Sequence, residues 1–303
     1  NGFYLPMNDS SNPGADFHCA PNSIIKLKGE DLPQPQNGAP TTTDAYVSEL
    51  RSDPFAANLV LAIPGIAGGQ GSGYGDYSAD IRGSGTNKTL TAVGNAGVGS
   101  KLGGYYGSAM TFDNDGTNGS GNADGLLIAD SEDFNISNND FTVEAWVYIN
   151  TLPSNGGVFV GQWESSGGND RNMEIYISNT GIVNFYINVS GTNYVVNSTS
   201  FSLQQWTHVA GVREGSNMTL FINGVAVAVK NDASLGGNNS TAPLIIGGES
   251  DGSTGTSYGI DGYIQDVRFY KGVAKYKGGF DVPKPYTPVG IEAFRTTDDT
   301  CKN

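Results

Sequence analysis

Apolar and polar residues alternate along several short segments of the chain, and the clearest segment spans residues 141–150. Its sequence is FTVEAWVYIN, in which Phe141, Val143, Ala145, Val147 and Ile149 face one way and the residues between them face the other. Comparable segments follow, with the sequences GGVFVGQW, WTHVAGVREG, NMTLFINGVAVA, LIIGGESDG and GYIQDVRFYKGVAKY. A period of two, interrupted by Gly, Asn and Asp turns, predicts an all-β antiparallel sandwich of two sheets with one buried face each.

The same pattern predicts shorter strands before this region. Residues 53–63 (DPFAANLVLAI) should form the opening strand, and residues 65–85 a glycine-rich loop. Residues 88–93, 109–114 and 126–129 should supply further strands. Because turn residues separate these runs at short intervals, the arrangement indicates a jelly-roll sandwich rather than an array of repeats.

Both ends of the chain differ from this central region. Residues 1–52 contain the proline-broken connector LPQPQNGAPTTT, so we predict an N-terminal arm and linker there. Residues 53–286 should form the sandwich domain. Residues 287–303 should form a C-terminal arm, since the prolines of FDVPKPYTPVG exclude a central strand just before it.

The inward-facing positions of the predicted strands should meet between the sheets. In a sandwich, the apolar residues of both inner faces interdigitate to form one core. The predicted core residues are Leu59, Phe112, Val143, Val147, Phe159, Ile175, Phe185, Val209, Leu220, Ile222, Ile245, Val267 and Phe269.

Charge and cysteine content narrow the choice of partners. The 303 residues include 30 acidic and 16 basic side chains and carry a formal net charge of −14, which disfavours nucleic-acid binding by phosphate repulsion. No apolar run approaches the roughly 18 residues that cross a bilayer, so we expect no membrane insertion. Cys19 and Cys301 could be free thiols, or could pair with each other or across subunits.

The phrases FTVEAWVY, QQWTHVAGVREG, LFINGVAVA and IQDVRFYKGVAKY occur together within residues 53–286. In this combination the chain resembles the laminin-G-like branch of the concanavalin A-like lectin/glucanase superfamily, which implies a jelly-roll fold. The segments NGFYLPM, YYGSAMTFDN and YKGVAKYKGGFDVPKPYTPVG resemble virion structural proteins of marine tailed phages. That second resemblance implies a fibre, tail or capsid-decoration subunit on the virion surface, whose arms contact other subunits. We expect it to be a homo-oligomer.

Three functions are compatible with this resemblance. The first is a non-enzymatic virion protein that contacts cell-surface glycans, the second a purely structural subunit, and the third a polysaccharide-degrading enzyme. The glucanases of the superfamily carry an E-x-D-x-E-like run, which is missing here: Glu144 and Glu174 stand alone in their strands, and Glu249 lies in a turn-like GGESDG. A pair formed by Glu144 and Glu174 stays open. His208 is expected to belong to the framework.

Aromatic rings that stack on a pyranose, with amides and carboxylates beside them, make up a typical sugar site. Residues of these types face away from the predicted core on three strands, and one more lies near a turn. If these strands are neighbours, the candidate glycan site consists of Trp146, Tyr148, Trp163, Glu174, Tyr176, Asn184 and Tyr186. Trp206 matches a framework tryptophan of the family and is expected in the core.

The resemblance also implies a calcium site. Related sandwiches use an acidic residue of the last strand, in a D-x-V-R-x-Y context, together with an early strand. Here this maps to Asp266, with Asp113 as its partner and Asp115 and Asp261 as alternatives. Calcium binds several oxygen ligands, including Asp side chains and loop carbonyls. The run DNDGTNGSGNADG lacks the terminal Glu of an EF-hand and is not expected to bind calcium by that route.

Overall fold

The structure is a computed structural model and describes residues 53–67, 71–101, 108–113, 123–137, 139–165, 170–252 and 256–282. The predicted arms 1–52 and 287–303, with Cys19 and Cys301, lie outside the described residues. So does Asp115. The limits of the three predicted regions therefore stay a prediction.

The described residues are almost entirely β-structure. Short 3-10 turns lie at Ala56–Asn58, Gly71–Gly73 and Glu132–Phe134, and one α-helix, α1, spans Ser78–Arg82. Nothing helical in the described ranges is long and apolar enough to cross a membrane. The strands are β1 (Leu59–Ile63), β2 (Leu90–Val93), β3 (Gly97–Ser100), β4 (Ser108–Asp113), β5 (Gly125–Ile128), β6 (Phe141–Thr151), β7 (Gly157–Trp163), β8 (Arg171–Ile177), β9 (Val183–Val189), β10 (Thr192–Asn197), β11 (Thr207–Glu214), β12 (Asn217–Ile222), β13 (Val225–Asn231), β14 (Leu244–Ile246), β15 (Glu249–Ser250), β16 (Thr256–Ser257) and β17 (Asp261–Lys271).

These strands form two large antiparallel sheets, which confirms the predicted two-sheet sandwich. The first sheet has the order β13-β12-β11-β6-β17-β4-β3, and β1 also pairs with β17. The second has the order β10-β9-β8-β7-β14-β5-β2, and β15 and β16 form a separate hairpin. β17 pairs first with β4 and then with β1 along one edge. A bulge between Gln265 and Arg268 marks the change.

One apolar core fills the space between the sheets. Phe141 of the first sheet meets Phe185 of the second edge to face, with ring centroids 6.1 Å apart. Ten of the thirteen predicted core residues belong to this core: Phe112, Val143, Val147, Phe159, Ile175, Phe185, Val209, Leu220, Val267 and Phe269.

Three predicted core residues need correction. Ile222 is only partly buried and packs at the margin of the core. Leu59 packs outside the first sheet, with Tyr77 and Tyr270. Ile245 is fully buried but faces away from the main core, because its neighbours Leu244 and Ile246 take the inward positions. In a run of three apolar residues, alternation cannot tell which of them face inward.

Two predictions near the start of the domain were also wrong, namely where the opening strand begins and that residues 65–85 form only a loop. The opening strand begins at Leu59 rather than at residue 53, because Asp53 caps a turn by accepting a hydrogen bond from the Phe55 N–H at 2.8 Å. Within the predicted loop 65–85, the short helix α1 packs Ile81 against the outside of β1.

The outer face of the first sheet is covered, so the expectation of one buried face per sheet fails there. After β17 the chain crosses this face as residues 272–282. In that segment, which we call the strap, Ala274, Tyr276 and Phe280 pack on Ala210, Val212 and Phe221 of the sheet. The Tyr276 and Phe280 rings are stacked at 3.5 Å.

Candidate functional site

The structure divides the predicted glycan patch between two sheets. Trp146 and Tyr148 lie on β6 in the first sheet, whose neighbours are β11 and β17. The other five residues lie on β7, β8 and β9 of the second sheet. The prediction of a single continuous patch was therefore wrong. Alternation shows which side of a strand a residue is on, but it does not show to which sheet the strand belongs.

Trp146 is not available to stack on a sugar. It is only 5% exposed and packs with Ile66, Trp206 and Val282. Its ring meets His208 at 5.3 Å. The strap and the adjoining loops thus make this side chain part of the interior.

Tyr148 belongs to a small aromatic group on the outside of the first sheet. Its ring meets Trp206 and Tyr263 at 5.8 Å each, and the Lys101 Nζ lies 3.5 Å above it. Trp206 is half-buried in this group rather than in the core between the sheets, which corrects the prediction for it. A lysine already occupies the Tyr148 face that a sugar would need.

The outer face of the second sheet brings together the remaining predicted residues around Glu174. In the strand register, Glu174 lies opposite Gly161 of β7 on one side and opposite Tyr186 of β9 on the other. Tyr176 follows Glu174 on the same face of β8. Gly161 matters here, since a Cβ at this position would lie only 2.9 Å from the Glu174 Cβ.

Aromatic rings border Glu174 on two sides. Trp163 and Tyr186 are 5.8 Å apart between centroids, and Tyr176 and Tyr258 are 6.4 Å apart. Trp163 is 5% exposed and lies under the Arg171 guanidinium at 5.0 Å, whereas Tyr176, Tyr186 and Tyr258 are half-buried. The tyrosines therefore present the aromatic surface that solvent reaches.

Glu174 shares a hydrogen bond with the carboxyl group of Glu249, at the start of the β15–β16 hairpin. Burial, followed by the Glu249 charge, raises the pKa of Glu174 well above its usual range. Burial also raises the pKa of Glu249 to about 7, although its bond to Glu174 and the Arg171 charge oppose the rise. Two carboxyl groups in contact cannot both ionise readily, so the pair holds a proton near neutral pH.

The same carboxyl group affects the neighbouring phenols. Burial and then the Glu174 charge raise the pKa of Tyr176 to about 12 and raise that of Tyr186. Both hydroxyl groups thus stay protonated near neutral pH. The Tyr176 hydroxyl donates to the Asn155 carbonyl at 2.8 Å, which fixes the ring beside the carboxyl pair.

A row of amide side chains continues this face toward β10. Asn184 is buried, donates to the Ile182 carbonyl and accepts from the Asn197 amide at 2.5 Å. Asn188 donates to Asn193 at 2.6 Å. Because these amides are engaged with one another, Asn184 supports the site more than it offers free hydrogen-bonding groups.

We call the arrangement of Gly161, Trp163, Glu174, Tyr176, Tyr186 and Glu249 the acidic notch. Glu249, Gly161, Arg171 and Tyr258 were not predicted as site residues. The sequence gives only a weak signal for them. It shows Glu249 as a carboxylate in a turn-like segment, but nothing in it indicates that the hairpin folds back to β8. A parallel bridge between Glu164 and Ser250 holds it there.

The predicted calcium pair of Asp113 and Asp266 is not brought together, and the alternative residue Asp261 accepts hydrogen bonds from the side chains of Asn150 and Thr151. Asp113 lies opposite Asp261, five residues before Asp266 along β17, which is roughly 15 Å at strand spacing. Asp266 is buried and paired with the Arg268 guanidinium at 2.9 Å, so its carboxylate is neutralised without a metal. No group of three or more potential metal-ligating side chains occurs within the described ranges. These residues do not fit the calcium site that the resemblance implies.

The possible pair of Glu144 with Glu174 is excluded, since the two lie on different sheets. Glu144 is buried beneath the strap, where its carboxylate accepts from Lys275 Nζ and the Tyr276 hydroxyl at 2.5 Å each. His208 Nε2 lies 3.4 Å from the same carboxylate, which confirms it as a framework residue. Burial raises the pKa of Glu144, but the Lys275 charge and the hydrogen bonds outweigh this effect and hold it well below its usual range.

Fold and site together define a lectin-like jelly-roll sandwich. The family model described as the concanavalin A-like lectin/glucanases superfamily matches residues 118–275, more than half of the chain. The chain therefore belongs to this superfamily.

Solved structures with the same fold include binding domains of clostridial neurotoxins. The binding domain of botulinum neurotoxin DC, in complex with rat synaptotagmin II, has a TM-score of 0.52 at 13% identity, over 82% of this chain and 52% of that one. A structure from work on the entry of botulinum neurotoxin type C by way of two ganglioside molecules has a TM-score of 0.52 at 14% identity, with the same coverage. The chain thus spans about half the length of these structures, and at such identity the likeness concerns the fold. No curated protein matches the chain in sequence.

Proposed function

We propose that this protein is a non-enzymatic glycan-binding protein, and that the outer face of its second sheet is the binding surface. The observation that carries the proposal is the pair of half-buried tyrosines next to the carboxyl group of Glu174, Tyr186 opposite it on β9 and Tyr176 after it on β8. Tyrosine rings and buried hydrogen-bonding groups are what sugar recognition requires. Structures of the same fold were obtained in complex with SialylT and in work on gangliosides, which supports a receptor-binding role.

The geometry argues against polysaccharide hydrolysis. A retaining glycosidase needs its two carboxyl groups about 5–5.5 Å apart, and an inverting enzyme needs a wider gap that admits water. Glu174 and Glu249 instead hydrogen-bond to each other and are each 5% exposed. A sugar ring cannot fit between them, so we assign the pair to binding rather than to acid and nucleophile roles.

We further propose that the sandwich is displayed on a virion surface. The support is the resemblance of the segments NGFYLPM, YYGSAMTFDN and YKGVAKYKGGFDVPKPYTPVG to virion structural proteins of marine tailed phages. In this account the terminal arms join a homo-oligomer of the protein to other virion subunits, while the second sheet faces cell-surface glycans. The alternative is a purely structural subunit.

A glycan array distinguishes these functions. We expect the full-length protein to bind a restricted set of glycans, and we expect equal binding with calcium and with a chelator, because the predicted calcium pair is not assembled. Loss of binding on chelation would restore calcium to the site. Absence of binding to any glycan, by protein that is folded and correctly assembled, would favour the structural role.

A further inference from the structure

The carboxyl pair of the acidic notch has no salt-bridge partner in the described part of the chain. Glu174 and Glu249 are each 5% exposed, yet neither forms a salt bridge within the described residues. Arg171 is close enough to influence the pKa of both, but its Nε donates to the Glu164 carbonyl at 3.0 Å and its guanidinium lies over Trp163. Some buried carboxylates elsewhere do have such a partner, as Glu144 has Lys275 and Asp266 has Arg268.

The hydrogen bonding of Glu174 is incomplete as well. One of its carboxyl oxygens, Oε2, accepts no hydrogen bond within the described residues. A buried acceptor without a donor is destabilising, so a donor from outside the protein would be stabilising. The unpartnered carboxyl oxygen is therefore a second feature, beside the acidic pair itself, that points to a ligand.

The walls of the notch favour a cation as that donor. Tyr176 and Tyr186 flank Glu174, and Trp163 and Tyr258 lie behind them. The faces of aromatic rings attract ammonium groups, and they do so more strongly where water is excluded. An anionic sugar would be repelled by the pair, and a neutral hydroxyl would leave its charge uncompensated.

We propose that the acidic notch binds a protonated amino group carried on a glycan, so that the ligands of this protein include sugars with a free amine. This proposal rests on the proposed glycan-binding function and specifies its ligand. The ammonium takes the place of the proton that Glu174 and Glu249 share, and the pair releases that proton to solvent. Because only a small part of each carboxyl group is exposed, the fitting group is a single ammonium and not a whole sugar ring.

The groups that face the pair set the pH range of the effect. They are Arg171 at the start of β8, Tyr176 and Tyr186 on β8 and β9, and Tyr258 after β16. Burial raises the pKa of Tyr176 and of Tyr186, so these two phenols stay neutral near pH 7 and the carboxyl pair is the group that titrates. Binding of an ammonium should weaken as the pH falls and the pair becomes fully protonated.

A glycan array with matched pairs of amine-bearing and N-acetylated oligosaccharides, including glucosamine and N-acetylglucosamine oligomers of equal length, tests the proposal. We expect full-length protein to bind an amine-bearing member about tenfold more tightly than its N-acetylated partner near neutral pH. Glu174→Gln and Glu249→Gln should remove this preference. Glu214→Gln, which removes a carboxylate from the first sheet, should keep it. Thermal unfolding checks that each variant is folded.

The outcomes separate this proposal from the proposed function. Binding of neutral or N-acetylated glycans with no preference for an amine would overturn the amine proposal and leave glycan binding intact. An amine preference that survives both Gln variants would place the amine elsewhere and would also overturn it. If the array detects no binding at all, both proposals fail together. Calorimetry in two buffers of different ionisation enthalpy should show proton release for the amine-bearing sugar alone.

Discussion

At the scale of single residues, the carboxyl pair predicts an unusual dependence of stability on pH. The pKa of Glu249 rises from 4.5 to about 7 on folding, so between these values the folded protein holds a proton that the unfolded chain releases. Stability from this group is present below the lower value and is lost as the pH rises toward 7. Relative to wild type, Glu249→Gln should therefore be more stable at about pH 8 than at about pH 5.

Urea unfolding at both pH values measures this difference. Glu214→Gln is the matched control, because its carboxylate lies in an exposed pair with Lys277 and should show no such shift. If the free energies of unfolding of wild type and Glu249→Gln change with pH in parallel, the pair does not hold a proton in the folded state.

Gly161 leads to a second prediction at this scale. An alanine Cβ there would lie 2.9 Å from the Glu174 Cβ and 3.3 Å from Val158 Cγ1, so the side chains of the notch must shift. We expect Gly161→Ala to cost about 1–3 kcal/mol of stability and to weaken glycan binding. Gly278→Ala, where nothing lies within 4 Å of the new methyl, should change neither. Equal unfolding curves and equal binding for the two variants would contradict this account of the notch.

At the scale of elements, the strap closes the outer face of the first sheet through a buried charge. Lys275 Nζ lies 2.5 Å from Glu144 Oε1, and both side chains are almost fully buried. Removing one member of a buried ion pair leaves the other unpaired, so Lys275→Met should cost about 3–5 kcal/mol. Lys277, two residues along the strap, pairs with Glu214 on the surface and serves as the control.

Chemical denaturation compares these two lysine variants directly. Lys277→Met should leave the unfolding midpoint unchanged, because exposed pairs contribute little. The Glu144 carboxylate has a lowered pKa, so stability from the strap is present above its unfolded value and is lost as the pH falls through the folded one. Similar midpoints for Lys275→Met and wild type would mean that the strap is held by its aromatic contacts alone.

Sequence patterning predicted the strands better than it predicted what surrounds them. The period of two in β6 correctly placed Val143 and Val147 in the core, because a strand with one buried face has apolar residues at alternate positions of its own sequence. No comparable pattern in the sequence indicates that the strap packs on the first sheet. Its contacts join residues more than a hundred positions apart, as between Glu144 and Lys275, and so Trp146 was predicted on an open face when it is covered.

The candidate site was predicted in part for the same reason. Tyr176, Tyr186 and Glu174 share a face through local alternation, and the structure keeps them together. Glu249 joins them from a hairpin that returns across β7. The position of this hairpin depends on the sheet order and the turn geometry, which local alternation does not show. Alternation likewise could not reveal that Asp113 of β4 lies opposite Asp261 of β17 and not beside Asp266.

At the scale of the whole molecule, the two outer faces have different roles. The first is closed by the strap and by the helix α1, which makes it the supporting layer of the sandwich. The second carries half-buried tyrosines around a carboxyl pair that forms no salt bridge with any residue that the structure describes. We therefore expect glycans to be bound by the second sheet and not by the first.

The most direct measurement compares the affinity of two double variants of the full-length protein for one glycan that the wild type binds. Tyr176→Ala with Tyr186→Ala removes aromatic surface from the second sheet, and Tyr148→Ala with Tyr263→Ala removes the same chemistry from the first. We predict that affinity measured by calorimetry falls at least about tenfold for the second-sheet variant, since each lost ring contact is worth about 1 kcal/mol or more. We predict that it stays near wild type for the first-sheet variant. The reverse order of affinities would contradict the account and place the binding surface at Tyr148 and Tyr263.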